Sequence, residues 1–148
     1  MKNKKDFYQV SLKVFLKNNK GEVLALKAVN KGSLAGFYDF PGGRIDANEF
    51  KVPFREIIKR EIKEEVGDIK YDLAVKPIAT GRHVIPKKFT KNKKDIHVIY
   101  LFFEAKYLGG KIKLSREHTG YRWLNLKEIK MEEYFKSGIL EGLRMWVL

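Results

Sequence analysis

The segment from Val52 to Val66 constrains the fold most, because its apolar residues recur at every fourth position. This spacing predicts a helix with one apolar row that packs on a sheet. The row consists of Phe54, Ile58, Ile62 and Val66. Pro53 suits the first turn of such a helix, and Gly67 is a typical residue to end it. A helix over 52–66 that docks on a sheet is therefore expected.

Three carboxylates, those of Glu61, Glu64 and Glu65, share one face of this helix within an arc of about 100°. Like charges at this spacing repel by roughly 0.2–0.5 kcal/mol per pair. The negative end of the helix dipole, just before Gly67, also disfavours anions. Folding alone does not favour this arrangement, whereas a bound divalent cation would. Since hard cations take oxygen ligands, we expect the three carboxylates to hold Mg²⁺, or alternatively Mn²⁺, directly or through water.

The composition is that of a soluble globular protein, with 44% hydrophobic and 33% charged residues in a chain of 148. This length fits one domain with a proper core, so a single domain over 1–148 is expected. No apolar run approaches a membrane span, and the N-terminus lacks the apolar core of a signal peptide. The absence of cysteine excludes disulfides and thiolate metal ligands. We expect a cytoplasmic protein with no membrane partner, either a monomer or a homodimer.

The net charge of +13 is strongly basic. Such a field attracts polyanions, among them nucleotides and nucleic acid. A charge-rich surface without a polyanionic partner is the alternative, and the charge alone does not separate the two.

Strand-like segments surround the helix. Alternating apolar residues predict a strand over 7–17, an Asn-Asn-Lys-Gly turn follows, and a returning strand is expected over 22–29. A short strand is expected over 37–40, and the nearly continuous apolar run over 96–107 predicts a central strand. A short strand over 111–114 and helices over 126–135 and 139–147 complete the prediction. The mixture of strands and helices in one unit indicates an α+β or α/β fold.

The glycine turn and the acidic helix together form a longer pattern. Gly43 is followed by Glu49 and then by Arg60-Glu61-Ile62-Lys63-Glu64-Glu65-Val66-Gly67. This pattern resembles the Nudix box, the signature of hydrolases that act on nucleoside diphosphates linked to another group. The resemblance implies an α+β fold, an α/β/α sandwich with a mixed sheet between helices. The stretch from Phe50 to Lys59 is about three residues longer than the family usually has, and we place the extra residues before the helix, where a longer loop costs little.

The resemblance also implies roles for individual residues. Glu61, Glu64 and Arg60 form the catalytic group, with Glu61 or Glu64 as general base and Glu117 as a competitor for that role. Glu65, Glu117 and the carbonyl of Gly42 join Glu61 and Glu64 as metal ligands. Gly43, Glu49 and Gly67 are structural positions of the box. Arg60 is expected to bond Glu64 or to reach back to Glu49. Glu104 and Asp95 are lesser candidates as further carboxylates.

Candidate substrate-binding residues lie outside the helix. Lys27 and Arg44 are placed to meet phosphates, and Phe37, Tyr38 or Tyr121 to stack on a base, although such aromatics more often belong to a core. The basic loop over 87–94, with Arg82 and His83, forms either a mobile wall over an anionic substrate or an ordinary solvated loop. The three histidines have no metal-ligand spacing.

These features together predict a Mg²⁺-dependent hydrolase of a small anionic nucleotide, cut at its pyrophosphate linkage. A nucleoside triphosphate is the first expectation, followed by dinucleoside polyphosphates and ADP-ribose. A nucleic-acid-binding protein on the same fold is the alternative from another class, and an RNA 5′-end-processing enzyme would combine both.

Overall fold

The computed structural model describes residues 3–148, which form a mixed sheet of eight strands with three helices. The strands are β1 Tyr8–Lys17, β2 Val23–Ala28, β3 Tyr38–Asp39, β4 Gly42–Arg44, β5 Lys70–Leu73, β6 Ala79–Ile85, β7 Ile96–Gly109 and β8 His118–Leu124. The helices are α1 Phe54–Val66, α2 Met131–Tyr134 and α3 Ser137–Val147. Two short 3-10 helices lie at Ala47–Glu49 and Lys87–Phe89.

Strands β1 and β7 form the centre of the sheet. They run parallel along their length, from the pair Tyr8 and His97 to the pair Lys17 and Lys106. On its other side β1 pairs antiparallel with β4, where Leu12 faces Gly43. The outer side of β7 carries β6 and β5, while β2 pairs with β3 and β8. The glycine pair of β4 therefore lies against the most central strand.

The core has two halves, one on each face of the sheet. The first half packs α1 through Ile57, Ile58, Ile62 and Val66. The second half packs α3 through Ile139 and Leu143, together with Phe135 after α2. This is a sheet between helical layers, so the predicted α/β/α sandwich is confirmed. Burying both faces explains why the predicted central strand, β7, is rich in apolar residues.

The inner part of β1 is buried on both faces, because Ser11, Lys13 and Phe15 are buried as well as the apolar residues that alternate with them. Two predictions about local structure were wrong. The segment over 111–114 is not a strand, since its backbone bonds the end of α1 instead. The helix expected over 126–135 is reduced to the single turn α2, because Asn125 accepts a bond from the backbone N–H of Lys127 and holds a local turn.

No helix within residues 3–148 has both the length and the apolar character that crossing a membrane requires.

Candidate active site

The glycine pair of β4 is required by two close approaches. Gly42 has φ +139°, and a Cβ there would overlap the carbonyl oxygen of Leu12. A Cβ at Gly43 would lie 2.5 Å from the carboxylate carbon of Glu61. The turn therefore brings the β4 backbone against the acidic face of α1. A larger residue at Gly43 would displace the Glu61 carboxylate, whereas one at Gly42 would push β4 away from β1.

Arg60 connects the acidic helix to the loop before it. Its Nη2 donates to both carboxylate oxygens of Glu49, at 2.8 and 3.0 Å. Its Nη1 donates to Glu61 at 3.1 Å and to Glu64 at 3.4 Å. Glu49 also accepts a hydrogen bond from the backbone N–H of Asp46. This bond is the main reason why the pKa of Glu49 is lowered; Arg60 acts in the same direction and burial in the opposite one. One guanidinium thus joins three carboxylates, and Glu49 keeps its contact with Arg60 across the longer connection.

Glu61 and Glu64 differ in their surroundings although both contact Arg60. The Glu61 side chain is 15% exposed and that of Glu64 is 59% exposed. Burial is the main reason why the pKa of Glu61 is raised, and the neighbouring charge of Glu64 adds to it, while Arg60 and Lys13 act in the opposite direction. Glu61 is therefore the more buried carboxylate of this pair, and it lies against the glycine turn.

Glu65 is the buried member of the triad, with 4% of its surface exposed. It accepts a hydrogen bond from the backbone N–H of Gly42 at 3.1 Å. Burial raises the pKa of Glu65 to about 8, and Asp39 and Glu61 add to this, whereas Lys13 and the Gly42 bond oppose it. The glycine turn therefore meets the helix through the Gly42 N–H as well as through the Gly43 backbone.

A buried ion pair that the sequence did not predict lies beneath the turn. Lys13 of β1 donates to Asp39 of β3 at 2.9 Å, and both side chains are nearly buried. Burial disfavours the charged lysine, but Asp39, Glu65 and Tyr100 outweigh it, so the pKa of Lys13 is raised. Burial also raises the pKa of Tyr100 to about 12. Lys13 places a permanent positive charge beside Glu65.

The carboxyl end of α1 is covered by the segment before β8. The N–H groups of Lys113 and Ser115 donate to the carbonyls of Val66 and Glu65, at 2.8 and 3.1 Å. Gly67, with φ +94°, ends the helix and leaves room for Lys113. These bonds satisfy carbonyls that a helix end otherwise leaves free.

This segment brings His118 to the triad and leaves Glu117 exposed. His118 Nδ1 lies 3.7 Å from Glu65 Oε2, and within residues 3–148 it is buried without a hydrogen-bond partner. Burial lowers the pKa of His118, which favours the neutral ring. Glu117 is next to His118 in the chain, but it does not contact the triad. Its backbone N–H donates a hydrogen bond to Ser115 Oγ. Spacing gave no reason to select His118, because its partner lies 53 positions earlier in the sequence.

The donor set suits a hard cation, but its members are not gathered around one point. Within residues 3–148, no three carboxylates or histidines lie close enough together to form a preassembled metal site. Glu61 and Glu64 both contact Arg60, and Glu65 contacts Gly42. The ligands are carboxylate oxygens on one helix face, and Gly43 has no side chain between them and the β4 backbone. The residues therefore fit a divalent ion chemically.

The two further carboxylates considered above, Asp95 and Glu104, and the predicted substrate residues lie in different parts of the molecule. Asp95 accepts the backbone N–H of Lys87, and Glu104 lies towards the other end of β7. Lys27 donates to the carbonyl of Gly36 and lies 4.9 Å from the Tyr38 ring centre. Tyr38 packs against Tyr134 and Phe135, which gives it a place at the edge of the core.

Arg44 and Phe37 also have partners. Arg44 Nη1 donates to Gln9 at 2.8 Å, and the Lys136 ammonium lies 5.0 Å from the Phe37 ring centre. Arg44 is exposed at the mouth of the cavity beside Gly43, whereas the phenyl ring of Phe37 is half-buried. Of the five predicted substrate residues, Lys27, Phe37, Tyr38, Arg44 and Tyr121, Arg44 lies on the cavity next to the box.

The inner of two neighbouring cavities adjoins the glycine turn, and the two cavities share Ser33 and His83. The inner cavity, of about 160 Å³, is bounded by Gly43 and Arg44 and by residues of β1, β3, β6 and β7. Its wall consists of Ser11, Lys13, Ser33, Leu34, Asp39, Gly43, Arg44, His83, Ile85, Val98 and Tyr100. The outer cavity, of about 730 Å³, lies on the other side of His83. Its wall consists of Tyr8, Gly32, Ser33, Ala35, Arg82, His83, Val84, Pro86, Lys88, Phe89, His97, Lys136 and Ser137.

Comparison with known proteins agrees with this fold and site. The family model of the NUDIX domain matches residues 7–143. The chain is 25% identical to the nucleoside triphosphatase NudI of Enterobacter sp. (strain 638) over 134 residues, covering 84% of this chain and 93% of that protein. It is 33% identical over 97 residues to the mouse bis(5′-nucleosyl)-tetraphosphatase (asymmetrical), covering 66% of this chain and 61% of that protein.

Solved structures give the same result. The MutT protein of Methanosarcina mazei Go1 superposes with a TM-score of 0.63 at 30% identity, covering 82% of this chain and 79% of that one. A NUDIX hydrolase of Nitrosomonas europaea reaches a TM-score of 0.65 at 18% identity, covering 95% and 70%, which supports the fold alone.

The fold and the box define a hydrolase of phosphorus-containing anhydrides. The chain belongs to the Nudix family and is a Nudix-type pyrophosphohydrolase. Members of this family act on small nucleotides and generally use divalent metal ions.

Proposed function

We propose that this protein hydrolyses the pyrophosphate linkage of a nucleoside triphosphate in the presence of Mg²⁺. The observation that carries the proposal is the contact between the acidic face of α1 and the glycine turn. The Glu61 carboxylate would collide with any side chain at Gly43, and Glu65 accepts the Gly42 N–H. A site for phosphate and metal needs this close backbone approach, and the neighbouring inner cavity opens on the same glycine.

The residues that would hold the ion are Glu61, Glu64 and Glu65, with the carbonyl of Gly42 and with Glu117 as a more distant ligand. Mg²⁺ in such a site neutralises phosphate oxygens and makes water more acidic. Mn²⁺ has the same preference for oxygen ligands and is the alternative ion. Lys13 balances part of the buried negative charge beside Glu65.

The chemistry is attack of water on a phosphorus atom of the diphosphate. The oxygen of water forms a new bond to phosphorus, the bond to the bridging oxygen breaks, and the released phosphate keeps the bonding electrons. The water proton passes to a carboxylate. We assign that role to Glu61, because its carboxylate lies against Gly43, which lines the inner cavity. Arg60 holds Glu61 in place, and Glu64 and Glu117 are the competing bases.

The choice of a nucleoside triphosphate rests on the relative that matches over most of both chains, the nucleoside triphosphatase NudI. Arg44, at the mouth of the inner cavity, is available to a phosphate. The 33% identity to a bis(5′-nucleosyl)-tetraphosphatase favours a second candidate, hydrolysis of a dinucleoside polyphosphate. ADP-ribose is a third, supported only by a fold match to an ADP-ribose pyrophosphatase of Streptococcus suis.

A nucleotide panel tests the proposal. Nucleoside triphosphates, dinucleoside polyphosphates and ADP-ribose are incubated with Mg²⁺, and the products are separated by ion-exchange chromatography. Wild type is compared with Glu61→Gln, Glu64→Gln and the matched control Glu56→Gln, an exposed carboxylate that pairs only with Lys59 among residues 3–148. We expect nucleoside triphosphate cleavage, a loss of at least about a hundredfold for the first two variants, and no change for the control. Absence of cleavage throughout, or activity of Glu64→Gln equal to wild type, would contradict the proposal.

Metal binding is measured separately, by titrating Mn²⁺ and following the signal of the free ion by electron paramagnetic resonance. Glu64→Gln and Glu65→Gln are expected to weaken Mn²⁺ binding, and Glu56→Gln to leave it unchanged. Equal affinity in all four proteins would mean that the ion does not use this helix face.

A further inference from the structure

His83 forms hydrogen bonds that lie outside the acidic helix and the glycine turn. It belongs to β6, and its side chain forms part of the wall of the inner cavity, as Gly43 does. We propose that His83 is a positioning residue for the reaction, because it holds the loop over 30–36 in place as a wall of this cavity. The inference rests on the proposed function, since it requires that the nucleotide enters the inner cavity. It adds a residue that controls substrate binding.

The imidazole of His83 bridges two serine hydroxyls from different parts of the chain. His83 is 8% exposed. Its Nδ1 lies 2.7 Å from the hydroxyl of Ser137, at the start of α3, and its Nε2 lies 2.9 Å from the hydroxyl of Ser33, in the loop. Burial lowers the pKa of His83, with Lys136 acting in the same direction and Asp39 in the opposite one, so the ring is neutral near pH 7. A neutral imidazole has one donor and one acceptor, and a hydroxyl serves as either, so both bonds form at the same time.

The Ser137 side of this bridge is fixed to the sheet. Ser137 has φ +56°, a backbone conformation that residues other than glycine seldom adopt and that persists only where the surroundings hold it. The helix that follows packs directly on β6, with no room for a Cβ at Gly81 or at Gly138. The His83 ring also lies at 23° to the Tyr100 ring of β7, with 6.1 Å between the ring centres. These contacts fix the imidazole relative to the sheet and leave Nε2 to hold the loop.

The loop over 30–36 has few polar contacts with the sheet. Two backbone hydrogen bonds, of 3.2 and 3.0 Å, close tight turns within the loop and at its end. Within residues 3–148, side chains of the sheet bond the loop at two points: Lys27 donates to the carbonyl of Gly36, and His83 bonds Ser33. Loss of the His83 bond would therefore leave only the end of the loop bonded to a side chain of the sheet.

The middle of this loop lies on the inner cavity. Ser33 and Leu34 line the cavity together with Gly43 and Arg44, and its volume is only about 160 Å³, so a shift of the loop alters the space beside the glycine turn. When the binding-competent position of a loop is only partly populated, the apparent affinity for substrate falls by the populated fraction. Release of the loop should therefore raise KM. At saturating substrate kcat should change little, because bound substrate itself keeps the loop in place.

The test breaks the two bonds of His83 separately. Ser33→Ala removes the partner in the loop and keeps the ring. His83→Gln and His83→Asn form a matched pair, because a glutamine amide reaches about as far as Nε2 and an asparagine amide about as far as Nδ1. For each variant, KM and kcat are measured with Mg²⁺ and each of ATP, GTP, CTP and UTP. Calorimetry gives the dissociation constant of a methylene-bridged, non-hydrolysable ATP analogue, and urea unfolding gives the stability.

We expect Ser33→Ala and His83→Asn to raise KM and the dissociation constant at least about fivefold, the effect of one lost hydrogen bond on the position of the loop. The value of kcat should stay within about twofold of wild type. His83→Gln should restore most of the lost affinity, because its amide still reaches Ser33. Combining Ser33→Ala with His83→Asn should raise KM no further than either change alone, since both remove the same contact.

Asn18→Ala is the matched control, because the Asn18 side chain holds a different loop, the turn after β1, by accepting the N–H groups of Lys20 and Glu22. It should lower stability and leave KM and the dissociation constant unchanged. Unchanged affinity in Ser33→Ala, or equal losses in His83→Gln and His83→Asn, would overturn the role of His83 and leave the proposed function intact. If wild type binds the analogue but cleaves no nucleotide, the proposed function fails and calorimetry still tests His83. If wild type neither binds nor cleaves, both proposals are overturned.

Discussion

Arg60 Nη2 lies between both carboxylate oxygens of Glu49, at 2.8 and 3.0 Å, although eleven positions separate the two residues. The connection between them includes the turn over 50–53 that precedes α1. The ion pair therefore fixes where the loop after the glycine turn meets the helix. Because the same guanidinium also contacts Glu61 and Glu64, the position of the loop and the position of the acidic face depend on each other.

A double-mutant cycle between Arg60→Ala and Glu49→Gln should show this coupling. Two hydrogen bonds join Arg60 to both carboxylate oxygens of Glu49, so we expect a measurable coupling free energy in urea unfolding. The Lys59 and Glu56 pair, 3.8 Å apart and more exposed, is the matched control and should give close to zero. Equal coupling energies in the two cycles would mean that Arg60 and Glu49 form an ordinary surface pair.

Gly43→Ala should reduce activity far more than stability. Gly43 is not among the glycines with positive φ, so its backbone accepts alanine, but the added methyl lies 2.5 Å from the Glu61 carboxylate and must displace it. We expect kcat/KM to fall at least about tenfold, one factor of ten for each 1.4 kcal/mol of lost transition-state stabilisation. Unfolding in urea should change by less than about 1 kcal/mol, since the flexible side chain of Glu61 can move.

The control for this variant is Gly120→Ala in β8, where a Cβ would meet nothing within 4 Å. It should leave kcat/KM unchanged. Wild-type activity in Gly43→Ala would show that the Glu61 carboxylate does not need its place against the turn.

The pH dependence of stability should report on Glu65. Its folded-state pKa of about 8 is above the value of 4.5 expected in the unfolded chain, so the folded state holds a proton that the unfolded chain has released. This contribution to stability is complete below pH 4.5 and is lost as pH rises through 8. In EDTA, we expect the free energy of unfolding to decrease from pH 6.5 to 8.5, with a slope of at most about 1.4 kcal/mol per pH unit.

Comparison with a variant isolates this effect. Glu65→Gln should remove the slope, and Glu56→Gln should retain it. Burial lowers the pKa values of His83 and His118, so their contribution to stability rises with pH, opposite in sign to that of Glu65, and it is present in both variants. A wild-type slope equal to that of Glu65→Gln would contradict the assignment.

Gly142→Ala tests the packing of α3 on the sheet. Alanine is the better helix former by roughly 1 kcal/mol, but a Cβ at Gly142 would overlap the Phe102 ring. We expect the collision to prevail and to lower the free energy of unfolding by about 1–3 kcal/mol, the usual effect of overpacking. Stabilisation by this variant would mean that α3 packs less closely on β7 than the structure describes.

The spacing of apolar residues and the local motifs predicted the acidic helix, the central strand and the position of the glycine turn. These features follow from side chains close together in the sequence, where spacing translates directly into geometry. The Arg60 contact with Glu64 belongs to the same group, since the two residues lie one helical turn apart. The substrate residues were less predictable. An aromatic residue such as Tyr38 suits the edge of a core as well as stacking on a base, and in the structure Tyr38 lies at the edge of the core.

Contacts between distant strands could not be predicted. Lys13 reads as the exposed residue of an alternating strand, and only the pairing of β1 with both β7 and β4 buries it beside Asp39 and Glu65. His118 meets Glu65 because the segment before β8 covers the end of α1, a backbone arrangement with no sequence period. The composition of residues 111–114 suits a strand, but the segment lies beside the carbonyl groups at the end of α1, which need hydrogen-bond donors. The bonds to these carbonyls determine its conformation.

The packing of α3 against β6 limits how copies of this protein can associate. Gly81 and Gly138 bring the two backbones so close that neither position has room for a Cβ, and Glu141 accepts the outward N–H of Arg82 at 2.8 Å. A backbone donor on the outer edge of β6 is thus already occupied from within the chain. Extending the sheet there with a strand of another molecule would first require the helix to detach, so a dimer that keeps this fold cannot form by strand addition at Arg82.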